Sequence, residues 1–141
     1  MNVPDTSVLL PLFDRAHPNH ERAHREVSGN LEFAVLASTL TETATVLWRM
    51  LRGQPQRAQA LRTHLSELSS MPGVRLLPDP DPAAGLALFL AHPRLSMPDA
   101  QAIAGAVSLK ARLVTFDDRQ HQAWVDVLAS QEKRARPKNR P

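Results

Sequence analysis

Asp5, Glu42, Asp99 and Asp117 are the residues with which this chain could do chemistry. Each stands at or just inside the start of a predicted helix, and three of these helices begin shortly after a hydrophobic run. In an open α/β sheet, strand ends and the helix N-termini that follow them gather along one edge, so acids spread along the chain can meet in one crevice. Two carboxylate charges about 4 Å apart repel by roughly 4 kcal/mol at an effective dielectric near 20, so such a cluster needs cations or shared protons. Oxygen donors select hard divalent ions. The pattern predicts a divalent-metal site.

Each acid also has a structural use. Asp5 and Asp117 could cap helices, Glu42 fits the last position of a Thr39-Leu40-Thr41-Glu42 capping box, and Asp99 lies in a first turn where the helix dipole favours an anion. Capping is served equally well by Ser, Thr or Asn, yet all four positions carry a carboxylate. Convergence explains that better than capping does.

The elements that must position these acids follow from period and punctuation. Asn2-Val3-Pro4 is a short strand leading into a capped helix from Asp5, and a second helix opens near Pro18 and stops at Ser28-Gly29. Residues 33–36 are a compact apolar strand, followed by a helix carrying Val46, Leu47, Met50 and Leu51 that Gly53 and Pro55 terminate. Ala58, Leu61, Leu65 and Leu68 share one face of the next helix, and residues 74–77 form a strand after Gly73. The prolines at 78, 80 and 82 impose a turn before a helix over residues 83–91. Pro98 suits the first position of a helix running to about Lys110, and residues 113–115 are a short buried strand. A last helical turn after Asp117 and a strand over residues 124–128 are expected to follow. This alternation predicts an α/β three-layer sandwich with a mainly parallel central sheet.

At 141 residues and 43% hydrophobic content, the chain has room for one core and one site. The absence of cysteine excludes a disulfide framework, a thiolate zinc site and a cysteine nucleophile, and is compatible with a reducing cytosol. No apolar run approaches the roughly 18 residues of a membrane span, and the start has no signal-peptide pattern, so a cytoplasmic location is expected. Residues 131–141 carry a net +4 against +3 for the whole chain, which leaves the preceding body at −1. A single folded domain over residues 1–130 and a basic, disordered tail over 131–141 are the expected organisation. Such a tail could add salt-sensitive attraction to nucleic acid phosphates.

The ordered motifs Val3-Pro4-Asp5-Thr6-Ser7-Val8-Leu9, Ser38-Thr39-Leu40-Thr41-Glu42, Leu95-Ser96-Met97-Pro98-Asp99-Ala100-Gln101-Ala102-Ile103-Ala104 and Leu113-Val114-Thr115-Phe116-Asp117 resemble the PIN domains, most closely the VapC-type ribonuclease toxins of toxin–antitoxin pairs. The His-Pro-Asn-His stretch at residues 17–20 resembles that family's first loop. Two positions depart from its pattern: Pro4 stands where a strand residue precedes the first acid, and Gln120-His121 replaces an aromatic after the fourth. The resemblance implies that the four acids serve one or two Mg²⁺ or Mn²⁺ ions and cut RNA by hydrolysis, leaving a 5′-phosphate and a 3′-hydroxyl. Products with a 2′,3′-cyclic phosphate would rule this route out. It assigns Asp5, Asp99 and Asp117 as ligands and Glu42 to positioning water or acting as base. Thr6, Ser7, Thr115 and Asp118 are supporting candidates, and Arg94, Arg112 and Arg119 are phosphate-binding candidates. A cognate antitoxin and a homodimer are the implied partners. Leu47, Met50 and Leu51 with Leu61, Leu65 and Leu68 are apolar surface that a dimer could use, although core packing is their simpler fate.

Other readings carry less. His17, His20 and His24 lie at helix-compatible intervals, but no acid pattern completes a tetrahedral zinc set. Asp79 and Asp81 also follow a strand and suit turn and cap duty. Aromatic residues are only 4% of the chain, which argues against a broad base-stacking surface, and alternation turns Phe116 towards the core. A catalytically silent scaffold that binds RNA or protein would keep the same fold. A phosphatase with an aspartyl nucleophile would place a second Asp where Ser7 stands.

Overall fold

The structure, a computed structural model, describes residues 1–29 and 32–136. Four strands, β1 (Asn2–Pro4), β2 (Phe33–Leu36), β3 (Val74–Leu77) and β4 (Arg112–Val114), form one parallel sheet in the order β3-β2-β1-β4. Helix α1 (Thr6–Leu9) runs into a 3-10 turn (Leu10–Phe13), and α2 (His20–Ser28) precedes β2. Helices α3 (Ala37–Met50) and α4 (Arg57–Ser70) join β2 to β3, and α5 (Pro82–Ala91) and α6 (Met97–Ser108) join β3 to β4. Helix α7 (Asp118–Ala135) closes the described chain.

The strands alternate between two apolar layers, as a period of two requires. Val3, Ala34, Leu36 and Leu113 face α6 residues Ala102, Ile103 and Ala106, whereas Phe33, Val35 and Val114 face Val8, Leu9, Ala23, Val27 and Leu68. Burial on both faces makes β2 a continuous apolar run, the mark of a parallel central strand. This is the expected three-layer α/β sandwich. Gly105 lets α6 lie close on the sheet, because a Cβ there would run into the Leu36 side chain.

Pro4 is tolerated in a central strand because it is the last residue of β1. It pairs with Val114 of β4, while the register with β2 is confined to Asn2 and Phe33. The missing N–H therefore falls where the strand is ending.

Two expectations are corrected here. Residues 124–128 are not a strand: they lie within the 18-residue helix α7, where Ala123, Trp124 and Val127 recur at helical spacing and pack on the α6 side of the core. The β-formers in that segment yield to tertiary packing. Nor is the helix after Asp117 a single turn: α7 carries through Ala135, with Lys133 and Arg134 in its last turn. Residues 137–141 of the basic segment lie outside the described residues. Among the described residues no helix is long and apolar enough to cross a membrane.

Candidate active site

The first three strands step in one direction, β1 to β2 to β3, and the chain then crosses back so that β4 lies on the other side of β1. Crevices form at such a reversal, beyond the carboxyl ends of the strands. Asp5 follows β1 directly and its backbone N–H donates to the Val114 carbonyl, 3.1 Å, which extends the ladder with β4 past the sheet edge. Thr115, Phe116 and Asp117 follow β4. Asp5 and the Thr115-to-Asp117 turn are thus neighbours because of strand order.

Asp5 occupies the N-cap position of α1 but makes no side-chain cap. Its carboxylate instead accepts hydrogen bonds from Ser7 Oγ on Oδ1, 2.6 Å, and from Thr115 Oγ1 on Oδ2, 2.5 Å. Ser7 Oγ also accepts from the Phe116 N–H, 2.8 Å, and Thr115 Oγ1 from the Asp117 N–H, 3.0 Å, so the two hydroxyls tie both strand ends around one carboxyl. Asp5 is 4% exposed. Burial pushes its pKa up to about 6 from 3.8 against the opposing pull of the Ser7 and Thr115 hydrogen bonds, and the neighbouring Asp99 charge raises it further.

Asp99 stands in the first turn of α6, where the capping box is real: its N–H donates to Ser96 Oγ, 3.2 Å, and its Oδ2 accepts from the Ser96 N–H, 3.4 Å. Asp117 caps α7, its Oδ1 accepting from the Arg119 and Gln120 N–H groups at 2.9 and 3.3 Å. Both acids hold a helix start and keep an oxygen free of that duty. The capping box expected at Thr39 and Glu42 is absent, because α3 already begins at Ala37 with Leu36 as N-cap. Glu42 lies a turn inside α3, half-buried beside Ser38, Thr45, Met97 and Pro98, and so approaches the start of α6 from the β2 side. Among the described residues no group of three or more acidic or histidine side chains stands close enough to hold a metal ion as it is.

Other sequence candidates separate cleanly. Asp118 and Arg119 lie on a ridge between two clefts. One, of about 650 Å³, is shared with Arg94, Leu95, Gln122 and Asp126; the other, of about 480 Å³, with Ser7, His17, Phe116 and Asp117. Arg119 therefore lies beside Asp117, and Arg94 joins it across the larger cleft, where Asp118 is the nearest of the candidate acids. Arg112 is away from both: it begins β4, at the opposite end of the strand, and its guanidinium is held by Asn2 Oδ1 at 3.3 Å and Glu26 at 3.5 Å. Thr6 is buried with its hydroxyl unpartnered among the described residues. Phe116 packs against the core and carries the Arg22 guanidinium over its ring, 4.1 Å from the centroid. Asp81 caps α5 through the Ala84 N–H, and Asp79 accepts from Ser38 Oγ, 2.7 Å, and the Ser38 N–H, 3.3 Å, anchoring the start of α3.

Sequence reasoning missed Gln120. Its side chain is 1% exposed and reaches Asp5 Oδ2 and Asp99 Oδ1 with the same arm of the amide, 3.1 Å from the latter. An oxygen on that arm would face two carboxylate oxygens, whereas the NH₂ has two protons for two acceptors. The reverse orientation offers only a 3.4 Å bond to the Asp99 carbonyl, so the arm at the acids is the NH₂. The departure from an aromatic at this position was the available signal.

Oxygen donors of this kind suit a divalent cation. The Asp99 charge acts on Asp5, and among the described residues neither acid is paired with a Lys or Arg. A hard cation taking their remaining lone pairs would favour the ionised form of Asp5 that burial now opposes.

Comparison with known proteins agrees with this fold. VapC20 of Mycobacterium tuberculosis, a sarcin–ricin loop cleaving toxin, superposes with a TM-score of 0.72 at 19% identity, covering 87% of this chain and 95% of that one. FitAcB of Neisseria gonorrhoeae gives 0.66 at 22% identity over 89% and 94% of the two chains. VapBC2 of Rickettsia felis, solved with a DNA fragment of its promoter, gives 0.61 at 12% identity over 86% and 92%. No curated protein sequence matches significantly. The sequence itself matches the PIN domain from residue 3 to residue 125, a span that runs from β1 through the acids at 5, 42, 99 and 117 into α7. This chain belongs to the PIN domain family.

Proposed function

We propose that the protein is an Mg²⁺- or Mn²⁺-dependent endoribonuclease that hydrolyses RNA phosphodiesters and acts in the cytoplasm as the toxin of a type II toxin–antitoxin pair. The observation that carries this reading is Asp5: a buried carboxyl at the end of β1, held by Ser7 and Thr115 and crowded by Asp99, whose charge a cation would offset. Asp5, Asp99 and Asp117 would hold the metal. Its charge would make a water acidic enough to deprotonate near neutral pH and would offset negative charge on the phosphate in the transition state.

The chain's own groups supply the rest. Ser7 and Thr115 orient the Asp5 oxygens, as partners of metal-binding carboxylates do. Glu42, inside α3 and facing the start of α6, orients the attacking water or takes its proton, and Asp118 assists at the rim of the site. Arg94 and Arg119 hold phosphates of the strand that crosses the ridge. Arg112 is withdrawn from that role by its pairing with Glu26.

An antitoxin that covers the acidic crevice is the proposed regulator, a role in keeping with the toxin neighbours described above. The homodimer proposal moves to different residues. Leu47, Leu51 and Leu68 are buried in the monomer and Leu61 and Leu65 are half-buried, so of that set only Met50 remains exposed. Exposed apolar surface lies instead on α5, at Leu86 and Leu90. Static light scattering at micromolar concentration tests the dimer, which a monomer mass would refute.

Cleavage of a labelled structured-RNA pool with Mg²⁺, with Mn²⁺ and with EDTA tests the activity, comparing the protein with Asp5→Asn and Asp99→Asn. Metal-dependent cleavage that both folded variants lose is expected. A folded, metal-loaded protein that binds RNA in a salt-sensitive way without cutting it would replace the nuclease with a scaffold.

A further inference from the structure

Gln120 touches all three proposed ligands, two through its side chain and one through its main chain. Its side-chain NH₂ lies against Asp5 Oδ2 and 3.1 Å from Asp99 Oδ1, and its backbone N–H donates to Asp117 Oδ1 at 3.3 Å. These acids come from three separate elements: the end of β1, the first turn of α6 and the cap of α7. An amide buried to 1% exposure must be satisfied by protein groups, and here they are the acids themselves. We propose that Gln120 is a positioning residue whose side chain clasps Asp5 and Asp99 together for metal binding, beside the Asp117 that caps its helix.

The chemistry favours Gln over its alternatives. A Lys or Arg at this depth would neutralise the acids and compete with the cation, and a Glu would repel them. A neutral amide donates one proton to each of two carboxylates and leaves their other lone pairs to ligate. It also limits the separation of two like charges before metal arrives, so fewer rotamers must be frozen when the ion binds. Orienting partners of metal ligands typically contribute about 10- to 100-fold in metal affinity. The first turn of α7 thus serves as a strut for the site, with Asp117 capping the helix that presents Gln120.

The inference rests on the metal-site reading, and the test separates the two. Mn²⁺ binding is measured without RNA, by calorimetry and by loss of the free-ion paramagnetic resonance signal, on the full chain and on Gln120→Met, which keeps length and volume but has no donor. The expected result is a folded variant whose Mn²⁺ affinity falls about 10- to 100-fold. In cleavage assays the metal concentration for half-maximal rate rises by the same factor, while the rate at saturating Mn²⁺ returns towards the parent value. Unchanged Mn²⁺ affinity in folded Gln120→Met overturns the clasp and leaves the metal site standing. A parent protein that binds no Mn²⁺ overturns the metal site and the clasp with it. Should Gln120→Met fail to fold, the Gln120 side-chain amide signals of the parent decide. They are expected to shift in both Asp5→Asn and Asp99→Asn and on addition of Mg²⁺, and signals indifferent to all three overturn the clasp.

Discussion

Replacing Asp5 with Asn should make the metal-free protein more stable at neutral pH while abolishing its activity. The Asp5 carboxyl titrates near 6 in the folded protein against 3.8 in the unfolded chain, and each unit of difference corresponds to about 1.4 kcal/mol, so ionised Asp5 costs the fold about 3 kcal/mol at pH 7. The folded state binds this proton more tightly than the unfolded state. Stability therefore falls as pH rises from about 3.8 to about 6 and is level above that window, as far as this group is concerned. Asn is neutral and nearly isosteric, but only its oxygen accepts: placed towards Thr115 and Gln120 it turns the NH₂ on Ser7 Oγ, which must give up donating. The bonds that remain lose their charge-assisted strength, and together these losses offset about 1 kcal/mol of the gain. A net gain of about 2 kcal/mol, near 6 °C in Tm for a domain of this size, is expected at pH 7 in EDTA. Urea denaturation of both proteins from pH 4 to pH 8 provides the measurement. The two should be nearly equal near pH 4 and separate through pH 6. Saturating Mn²⁺ should reverse their order, since a ligand at 100 times its Kd adds about 2.7 kcal/mol to the protein that binds it. A difference that does not change with pH, or an Asp5→Asn protein that is the less stable at pH 7, would refute the reasoning.

Thr115→Val removes a donor to Asp5 and the acceptor for the Asp117 N–H, so the acid limb of the cleavage pH profile should move to higher pH, with a stability loss of about 1–3 kcal/mol by denaturation. Arg94→Ala and Arg119→Ala should each raise KM for RNA and reduce the slope of log affinity against log salt by about one, whereas Arg112→Ala should leave that slope unchanged. Gly105→Ala places a methyl against Leu36 in a packed core and should cost about 1–3 kcal/mol, seen as a lower urea midpoint at unchanged m. Leu90→Glu, on the exposed face of α5, should convert a dimer to monomer in light scattering without loss of Tm in the monomer.

Local chemistry made much of this molecule legible in its sequence. Residues 33–36 and 74–77 are the strands expected, because short apolar runs bounded by turn residues have few other uses. Pro98 in the first turn and Ser96 before it mark the start of α6, and Asp81 and Asp117 cap as their positions predict. The four acids were visible as a set because a carboxylate recurred where a hydroxyl would have capped as well. Helix α7 was less legible, since Trp124, Val125, Val127 and Leu128 have the composition of a strand and become helical by packing Ala123, Trp124 and Val127 on the core.

Tertiary structure alone decided which groups meet. Asp5 and Thr115 are adjacent because the chain reverses direction between β3 and β4, a property of strand order that no local window contains. Arg112, close to Asp117 in sequence, begins β4 and so lies at the far end of that strand from the acids, where it pairs with Glu26. Gln120 shows the division most clearly. Its place in the first turn of α7 follows from the Asp117 cap, which is local, but its contact with Asp5 and Asp99 requires β1, α6 and α7 to converge. Propensity and capping act within a few residues and are written in the sequence; desolvation, like-charge crowding and the donors that answer it arise only when distant segments exclude water together.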